Sequence, residues 1–253
     1  MMNDVDKGNL GLHEAEVEVW NGIVFVNVDG NAVRSVGEIL AGVQWPANDV
    51  AQSKIAKVVS FDLRTNWKAS WENALECYHC SVNHPELIGI LDRVGGGRVT
   101  EGGAEYSYGG NPLKPGSLSV TTSGQVESKV LYDLRLPVED ARGFLQWHRA
   151  AFEMIFSPDH IALMTYQPLT PETTRVVQTF LVPIAAEPKV DFDLDTMFDM
   201  HILTREQDNE LCEKVQAGLR NPAYTPGPFN ELYECSNMDF VRMYRQVMGQ
   251  RLA

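Results

Sequence analysis

Apolar and polar positions change rhythm several times along this chain, and each change marks an expected element. AEVEVW and GIVFVNVDG alternate with period two around Asn21-Gly22, which predicts a β-hairpin. A short helix follows around Val36–Leu40, and QWPAND then reads as a connector. From Lys54, KIAKVVSFDLRT reads as a strand. It leads into TNWKASWENALECYHC, expected to be helical with Thr65 or Asn66 as its amino-terminal cap. Pro85 disfavours helical geometry at His84, so this helix should end near Asn83.

Residues 94–116 are rich in glycine and end in a Pro-Gly turn, which predicts a loop lying over a site. Strand-like runs resume at SLSVTT, SKVLYDLRL, FEMIF, HIALMTYQPL and TTRVVQTFLVP, and their turns suggest antiparallel meander pairing. DLDTMFDMHILTREQDNELCEKVQAGLR then predicts a long helix, with Gly218 near its end and Pro222 beyond it. FNELYECSNMDFVRMYRQVM predicts a last helix carrying Phe240, Tyr244 and Met248 on one face. Strands and helices in separate blocks give an α+β fold. No internal repeat interrupts this order.

Composition narrows the function classes. The chain has 253 residues, 44% of them hydrophobic, enough for one sizeable core. No apolar run approaches the roughly 18–20 residues that span a bilayer. The first residues, MMNDVDKGNLGLHEAE, have neither the basic start nor the apolar stretch of a secretory signal. A cytoplasmic protein without a membrane partner is expected. The net charge of −13, with no Lys/Arg cluster, argues against nucleic acid as a partner. The four cysteines, Cys77, Cys80, Cys212 and Cys235, are too few for a disulfide scaffold, and reduced thiols are expected.

Candidate chemistry concentrates in CYHCSVNHP. On a straight helix, five residues advance about 140° beyond a full turn, so His79 and His84 would not share a face. With the helix broken before Pro85, the two imidazoles can converge on one point, which suits a first-row metal. Glu72, Glu76 and His79 fall on one helical stripe. That stripe either faces inward toward a cation or lies in water, with His79 near a helix end. The long carboxy-terminal helix offers a third ligand. His201, Asp208 and Val215 repeat every seven residues beside Leu211, Cys212 and Leu219, which would turn Asp208 inward. A buried carboxylate needs compensation. A metal would supply it, and so would Arg205 through a helical ion pair.

The stretch NWKASWENALECYHCSVNHPEL closely resembles the signature of Rieske non-haem iron oxygenase large (alpha) subunits: NWK, three or four residues, EN, two residues, E or D, one residue, YH, four residues, HP. TREQDNELCEKVQAGLRN resembles the family's third-ligand segment, and GPFNELYECSNMDFVRMYRQ its closing helix. VEVWNGIVFVNVDG resembles the segment leaving its iron–sulfur domain. The resemblance implies a mononuclear Fe(II) held by His79, His84 and Asp208. It implies that Glu76 bridges toward a cluster-ligating histidine across a subunit boundary, in a homo-oligomer that is often a trimer. Asn73 and Tyr78 would stand behind the ligands. The implied fold is the helix-grip arrangement, an antiparallel sheet wrapped around a long carboxy-terminal helix. The implied reaction is mono- or dioxygenation of a small molecule with O2, its electrons coming from NAD(P)H through a reductase or ferredoxin and a Rieske centre.

The family's iron–sulfur centre needs a CxH pair followed by a CxxH pair, and that arrangement does not occur here. Residues 1–45 are therefore expected to be the residual tail of a Rieske domain plus a connector, and residues 46–253 the mononuclear iron catalytic domain. The chain carries no ligands for a [2Fe-2S] cluster of its own. Glu76 and the wording ECYHC place it nearest the branch acting on choline, carnitine or glycine betaine, whose substrates suit aromatic cages. Trp71, Trp147, Phe152 and Tyr166 are available for a cage or for the core, and an aromatic compound is the runner-up substrate. Two other readings stay open: a zinc site using Cys77 and Cys80 with Cys212 or Cys235, and a non-catalytic helix-grip domain that binds ligand without metal.

Overall fold

A computed structural model describes residues 13–28, 34–92, 101–102, 105–110 and 112–252. It divides into two compact units, residues 1–43 and 44–253. In the first, β1 (Glu16–Trp20) and β2 (Ile23–Asn27) pair antiparallel. Asn21 and Gly22 take φ of 48° and 81°, the left-handed pair that a two-residue hairpin turn demands. The cross-strand pairs Val17–Val26 and Val19–Val24 form an exposed apolar ladder on one face. Helix α1 (Val36–Ile39) opens with a capping box between Ser35 and Glu38. The Glu18 carboxylate accepts from the backbone N–H groups of Val36 and Gly37 at 2.5 and 2.9 Å.

The second unit is built on a seven-stranded sheet. Its strands are β3 (Ser53–Leu63), β4 (Glu101–Gly102), β5 (Tyr106–Gly109), β6 (Gly143–Trp147), β7 (Phe152–Phe156), β8 (Ile161–Thr170) and β9 (Thr173–Pro183). The order is β3-β9-β8-β7-β6-β5-β4, and every neighbouring pair is antiparallel. Strict alternation in β9 buries Thr174, Val176, Gln178, Phe180 and Val182 on one face. Tyr166, Met164 and Ala162 of β8 stand opposite Val176, Gln178 and Phe180.

Helix α5 (Asp199–Leu219) lies across this face, completing the α+β helix-grip arrangement. Phe198 at its start stacks on Phe180 with ring centroids 4.5 Å apart. The Gln178 amide donates to the carbonyl of His201 at 3.1 Å. At the other end, Gln216 accepts from the backbone N–H of Asn66 at 2.7 Å. Helix α6 (Cys235–Leu252) packs Phe240 and Tyr244 against Trp67, at 5.9 and 6.1 Å between rings. Met248 stays 36% exposed, and Met243 takes the buried position instead. Among the described residues, no helix is long and apolar enough to cross a membrane.

Three expectations change. The helix expected to run from Thr65 to Asn83 is α2 (Trp67–Ala74), then a turn, then α3 (Cys80–Asn83), with α4 (Pro85–Ile90) following. A continuous helix would bond the Tyr78 N–H to the Ala74 carbonyl. Instead the Gln146 side chain of β6 donates to that carbonyl at 2.5 Å, and the Tyr78 N–H turns to the Glu76 carboxylate. SLSVTT and SKVLYDLRL are not strands. Their backbone groups bond to scattered partners, such as Leu118 to Gly124, Lys129 to Asp191 and Arg135 to Pro46, rather than to one neighbour. The glycine-rich loop contains β5, while residues 93–100 of it lie outside the described residues.

The irregular stretch after β5 is pinned by Asp159, in the turn between β7 and β8. Its carboxylate accepts from the Ser119 hydroxyl at 2.6 Å and the Glu127 N–H at 2.8 Å, and His160 Nδ1 lies 2.9 Å away. Burial pushes the Asp159 carboxyl up, but His160 and these hydrogen bonds outweigh it and bring it down from 3.8 to about 2. A depressed carboxyl stabilises the fold fully above its unfolded value, and that contribution fades as pH falls through the folded value. Asp159→Asn is expected to cost about 2 kcal/mol at pH 7. In urea unfolding, its gap from the parent protein should narrow as pH is lowered from about 4 toward 2.

Candidate metal centre

The break after Ala74 positions the site. His79 stands just before α3, and His84 sits between α3 and α4 with φ −125° and ψ 68°, outside the helical region that Pro85 disfavours. Asp208 comes from the middle of α5, on a buried stripe with His201, Arg205, Cys212 and Gln216. Val215 and Leu219, expected on that stripe, are 45% and 37% exposed, so the inward face is more polar than its periodicity suggests.

Hydrogen bonds set the direction of each donor. Glu76 Oε1 lies 2.5 Å from His79 Nδ1, and Gln207 Oε1 lies 2.8 Å from His84 Nδ1. Both partners are acceptors, so each Nδ1 carries a proton and each Nε2 is the nitrogen left for a metal or, in its absence, a second proton. Both Nε2 atoms face the same oxygen, Asp208 Oδ1, at 3.0 and 2.9 Å. Two imidazole Nε2 atoms and a carboxylate oxygen converging inside a protein form a donor set suited to a cation. The other oxygen, Asp208 Oδ2, meets Arg205 at 3.2 Å. The two ways of compensating Asp208 thus act together, one on each oxygen.

The electrostatics carry the same demand. Burial pulls the His79 imidazole down, but its hydrogen bonds to Asp208 and Glu76 raise it to about 9, so a proton sits where a metal's charge would. Burial pushes Asp208 up, but the Arg205 guanidinium and the two imidazoles hold it well below the usual carboxylate range. Arg205 is itself buried. It donates to the Tyr166 hydroxyl at 3.0 Å, Asn73 Oδ1 at 3.2 Å and Asn209 Oδ1 at 3.0 Å. Asn73 in turn places its amide nitrogen 3.2 Å from His79 Nε2.

The sequence-derived residues His79, His84, Asp208, Glu76 and Asn73 all line one cavity. Tyr78 does not join them; it is 61% exposed and stacks on Tyr233. Trp71, Trp147, Phe152 and Tyr166 are core residues rather than a cage. Trp71 packs edge-on to Tyr166 at 5.1 Å, and the Tyr166 hydroxyl is occupied by Arg205. Gln207 and Glu153 escaped the sequence reading. Glu153 is buried on β7, accepts from Gln146 at 2.8 Å and brings an acidic group to the sheet wall of the cavity. Its even position in FEMIF, among apolar residues, is the only signal it leaves in the sequence.

Residues 51–250 match the family described as ring hydroxylating alpha subunit (catalytic domain). The chain belongs to that family. Over 281 residues it is 29% identical to the glycine betaine monooxygenase oxygenase subunit of Chromohalobacter salexigens, covering 100% of this chain and 63% of that protein. It is 25% identical over 222 residues to the carnitine monooxygenase oxygenase subunit of Acinetobacter pittii, covering 87% of this chain and 56% of that protein. The solved quaternary ammonium Rieske monooxygenase CntA shares its fold, with a TM-score of 0.70 at 18% identity, over 97% of this chain and 64% of CntA. The chain therefore spans less than two thirds of the length of these relatives.

One pH dependence follows from the ligand chemistry. Metal binding must displace the proton held by His79. Affinity for a divalent first-row ion is expected to rise about tenfold per pH unit up to about pH 9 and then level off. Calorimetric titration in buffers of different ionisation enthalpy should count about one proton released per ion at neutral pH.

Proposed function

We propose that residues 46–253 are the iron-bearing catalytic domain of a Rieske-type oxygenase that hydroxylates a small quaternary amine. The observation carrying this reading is the convergence of two imidazole Nε2 atoms on one oxygen of Asp208, with both Nδ1 positions committed elsewhere. This is the two-histidine, one-carboxylate facial set suited to non-haem Fe(II). His79, His84 and Asp208 would hold the iron, which when bound supplies dioxygen activation.

The surrounding residues have definite tasks. Glu76 and Gln207 hold the two imidazoles in the tautomer that binds metal. Arg205 anchors Asp208 by its second oxygen and leaves the first free to coordinate. Glu76 lines both the inner cavity and an outer groove bordered by Glu72, Leu211, Val215 and Glu234. It thus stands between His79 and the surface where an electron-donating Rieske centre would dock. That donor would be reduced by a reductase using NAD(P)H, and its docking across a subunit boundary fits a homo-oligomer, with a trimer the arrangement we propose.

The quaternary-amine reading rests on the two curated relatives and on the cavity itself. With the aromatic residues in the core, recognition of a cation falls to Glu153 on the sheet wall. Apolar neighbours Leu87, Leu91, Ile155 and Met164 suit methyl groups.

Anaerobic Fe(II) reconstitution followed by nitric oxide should give a high-spin iron–nitrosyl signal near one per chain. His79→Ala and Asp208→Ala should each abolish it. No signal from a folded parent chain would leave a metal-free ligand-binding domain as the reading. Separately, Glu153→Gln should weaken binding of a trimethylammonium compound about tenfold or more, roughly 1.4 kcal/mol, and barely change binding of its neutral tert-butyl isostere. Equal losses for both would remove Glu153 as the cation's partner.

A further inference from the structure

The Cys77–Cys80 pair is not used by the oxygenase reading, yet both residues line the metal cavity. The structure joins them in a disulfide, with Cα atoms 4.9 Å apart, where the composition suggested reduced thiols. The two lie three positions apart, the spacing at which side chains of one turn are neighbours. Cys80 is buried, and its sulfur lies 4.0 Å from His79 Nε2. Donor atoms of His79, Cys80 and His84 all lie within 4.8 Å of one another. Neither Cys212 nor Cys235 belongs to this group and Cys77 is bonded to Cys80, so the zinc arrangement of Cys77 and Cys80 with Cys212 or Cys235 does not form.

We propose that this pair decides which metal the centre takes. Closed as a disulfide, it leaves only the nitrogen and oxygen donors suited to Fe(II). Opened, it adds the Cys80 thiolate and makes a site for a soft ion of the Zn2+ class.

Distances support the second state. Tetrahedral zinc, with bonds of about 2.0 Å to nitrogen and 2.3 Å to sulfur, holds the two donors roughly 3.5 Å apart. Cys80 Sγ and His79 Nε2 need to approach by only about half an ångström. His79, His84, Cys80 and Asp208 Oδ1 would then close a four-coordinate site with no open position, the arrangement of structural rather than catalytic zinc. Thiolate also shifts preference from iron toward zinc. A disulfide sulfur carries no charge and is a poor ligand by comparison.

The switch balances chemically. A dithiol reductant attacks the disulfide; the Cys77–Cys80 bond breaks, two thiols form, and the reductant leaves as its own disulfide. On metal binding the Cys80 thiol releases its proton to solvent. The identity of the nitrogen and oxygen donors rests on the iron-centre reading above.

Cobalt(II), titrated anaerobically into the whole chain, is the probe. Reduced protein should show a sulfur-to-cobalt charge-transfer band in the near ultraviolet. Oxidised protein should show only the weaker bands of a nitrogen–oxygen site. Cys77→Ser, unable to form the bond, should show the charge-transfer band under either condition, and Cys80→Ser under neither. Zinc affinity of the reduced form should exceed that of the oxidised form by at least about 100-fold, since losing a ligand costs no less than losing an outer partner.

Cobalt bound without a charge-transfer band in reduced protein and Cys77→Ser would overturn the switch and leave the iron centre standing. The band persisting in Cys80→Ser would overturn it by assigning the sulfur elsewhere. No cobalt binding by any folded form would overturn both readings.

Discussion

Arg205 is buried along α5 with its guanidinium divided among Asp208, Asn73, Tyr166 and Asn209. Those partners lie on α5 itself, on α2 and on β8, so one side chain ties the three layers that surround the cavity. Burial alone would lower its basicity, yet Asp208 leads a set of neighbours that raises it above the ordinary arginine value. The arrangement is self-consistent only as a whole. Without Arg205, Asp208 would keep a buried charge with half its compensation, and Asn73 would lose the anchor that aims its amide at His79. Removing one partner of such a buried set generally costs about 3–5 kcal/mol. The geometry of His79 and Asp208 is thus an outcome of how the helix is charged against the sheet.

Much of this was legible in the sequence, for reasons that differ by element. The hairpin turn at Asn21-Gly22, strands β7 to β9 and the two long helices are written in local periodicity and turn chemistry. The grouping of His79, His84 and Asp208 was legible through the family resemblance; the break before Pro85 and the carboxylate on a largely apolar stripe allowed it but left an ion pair with Arg205 open. The end of α2 was not legible, since it is written by Gln146, a residue of β6 about seventy positions away. β5 and β6 were missed because one lies among glycines and the other is buried on both faces, without alternation. The polar character of α5's inner face was hidden by averaging: Val215 and Leu219 supply apolar period without being inside.

Two kinds of buried polar group coexist in this domain. Asp159, held by a hydroxyl, a backbone N–H and an imidazole, organises a loop, and its hydrogen bonds satisfy it completely within the protein. The His160 and His201 rings continue from it, with their Nε2 atoms 2.9 Å apart. Asp208 differs because one of its oxygens is shared by two imidazole Nε2 atoms whose Nδ1 atoms are already committed to Glu76 and Gln207. A carboxylate satisfied by fixed donors marks architecture; one shared by two metal-competent imidazole nitrogens marks a place for a cation. That distinction depends on the neighbours' second nitrogen atoms, which no composition or periodicity reveals.

The capture of the Ala74 carbonyl by Gln146 gives the histidine motif an external dependence. The twenty residues from Asn66 to Pro85 contain His79, His84, Glu76 and the cysteine pair, and read alone they have the pattern of one helix. Grafted into a host without an amide at the place of Gln146, the segment would wind on through Tyr78 and lose the turn in which Glu76 meets the Tyr78 N–H and His79. The linear motif is a set of parts, and the neighbouring strand holds the instruction for assembling them.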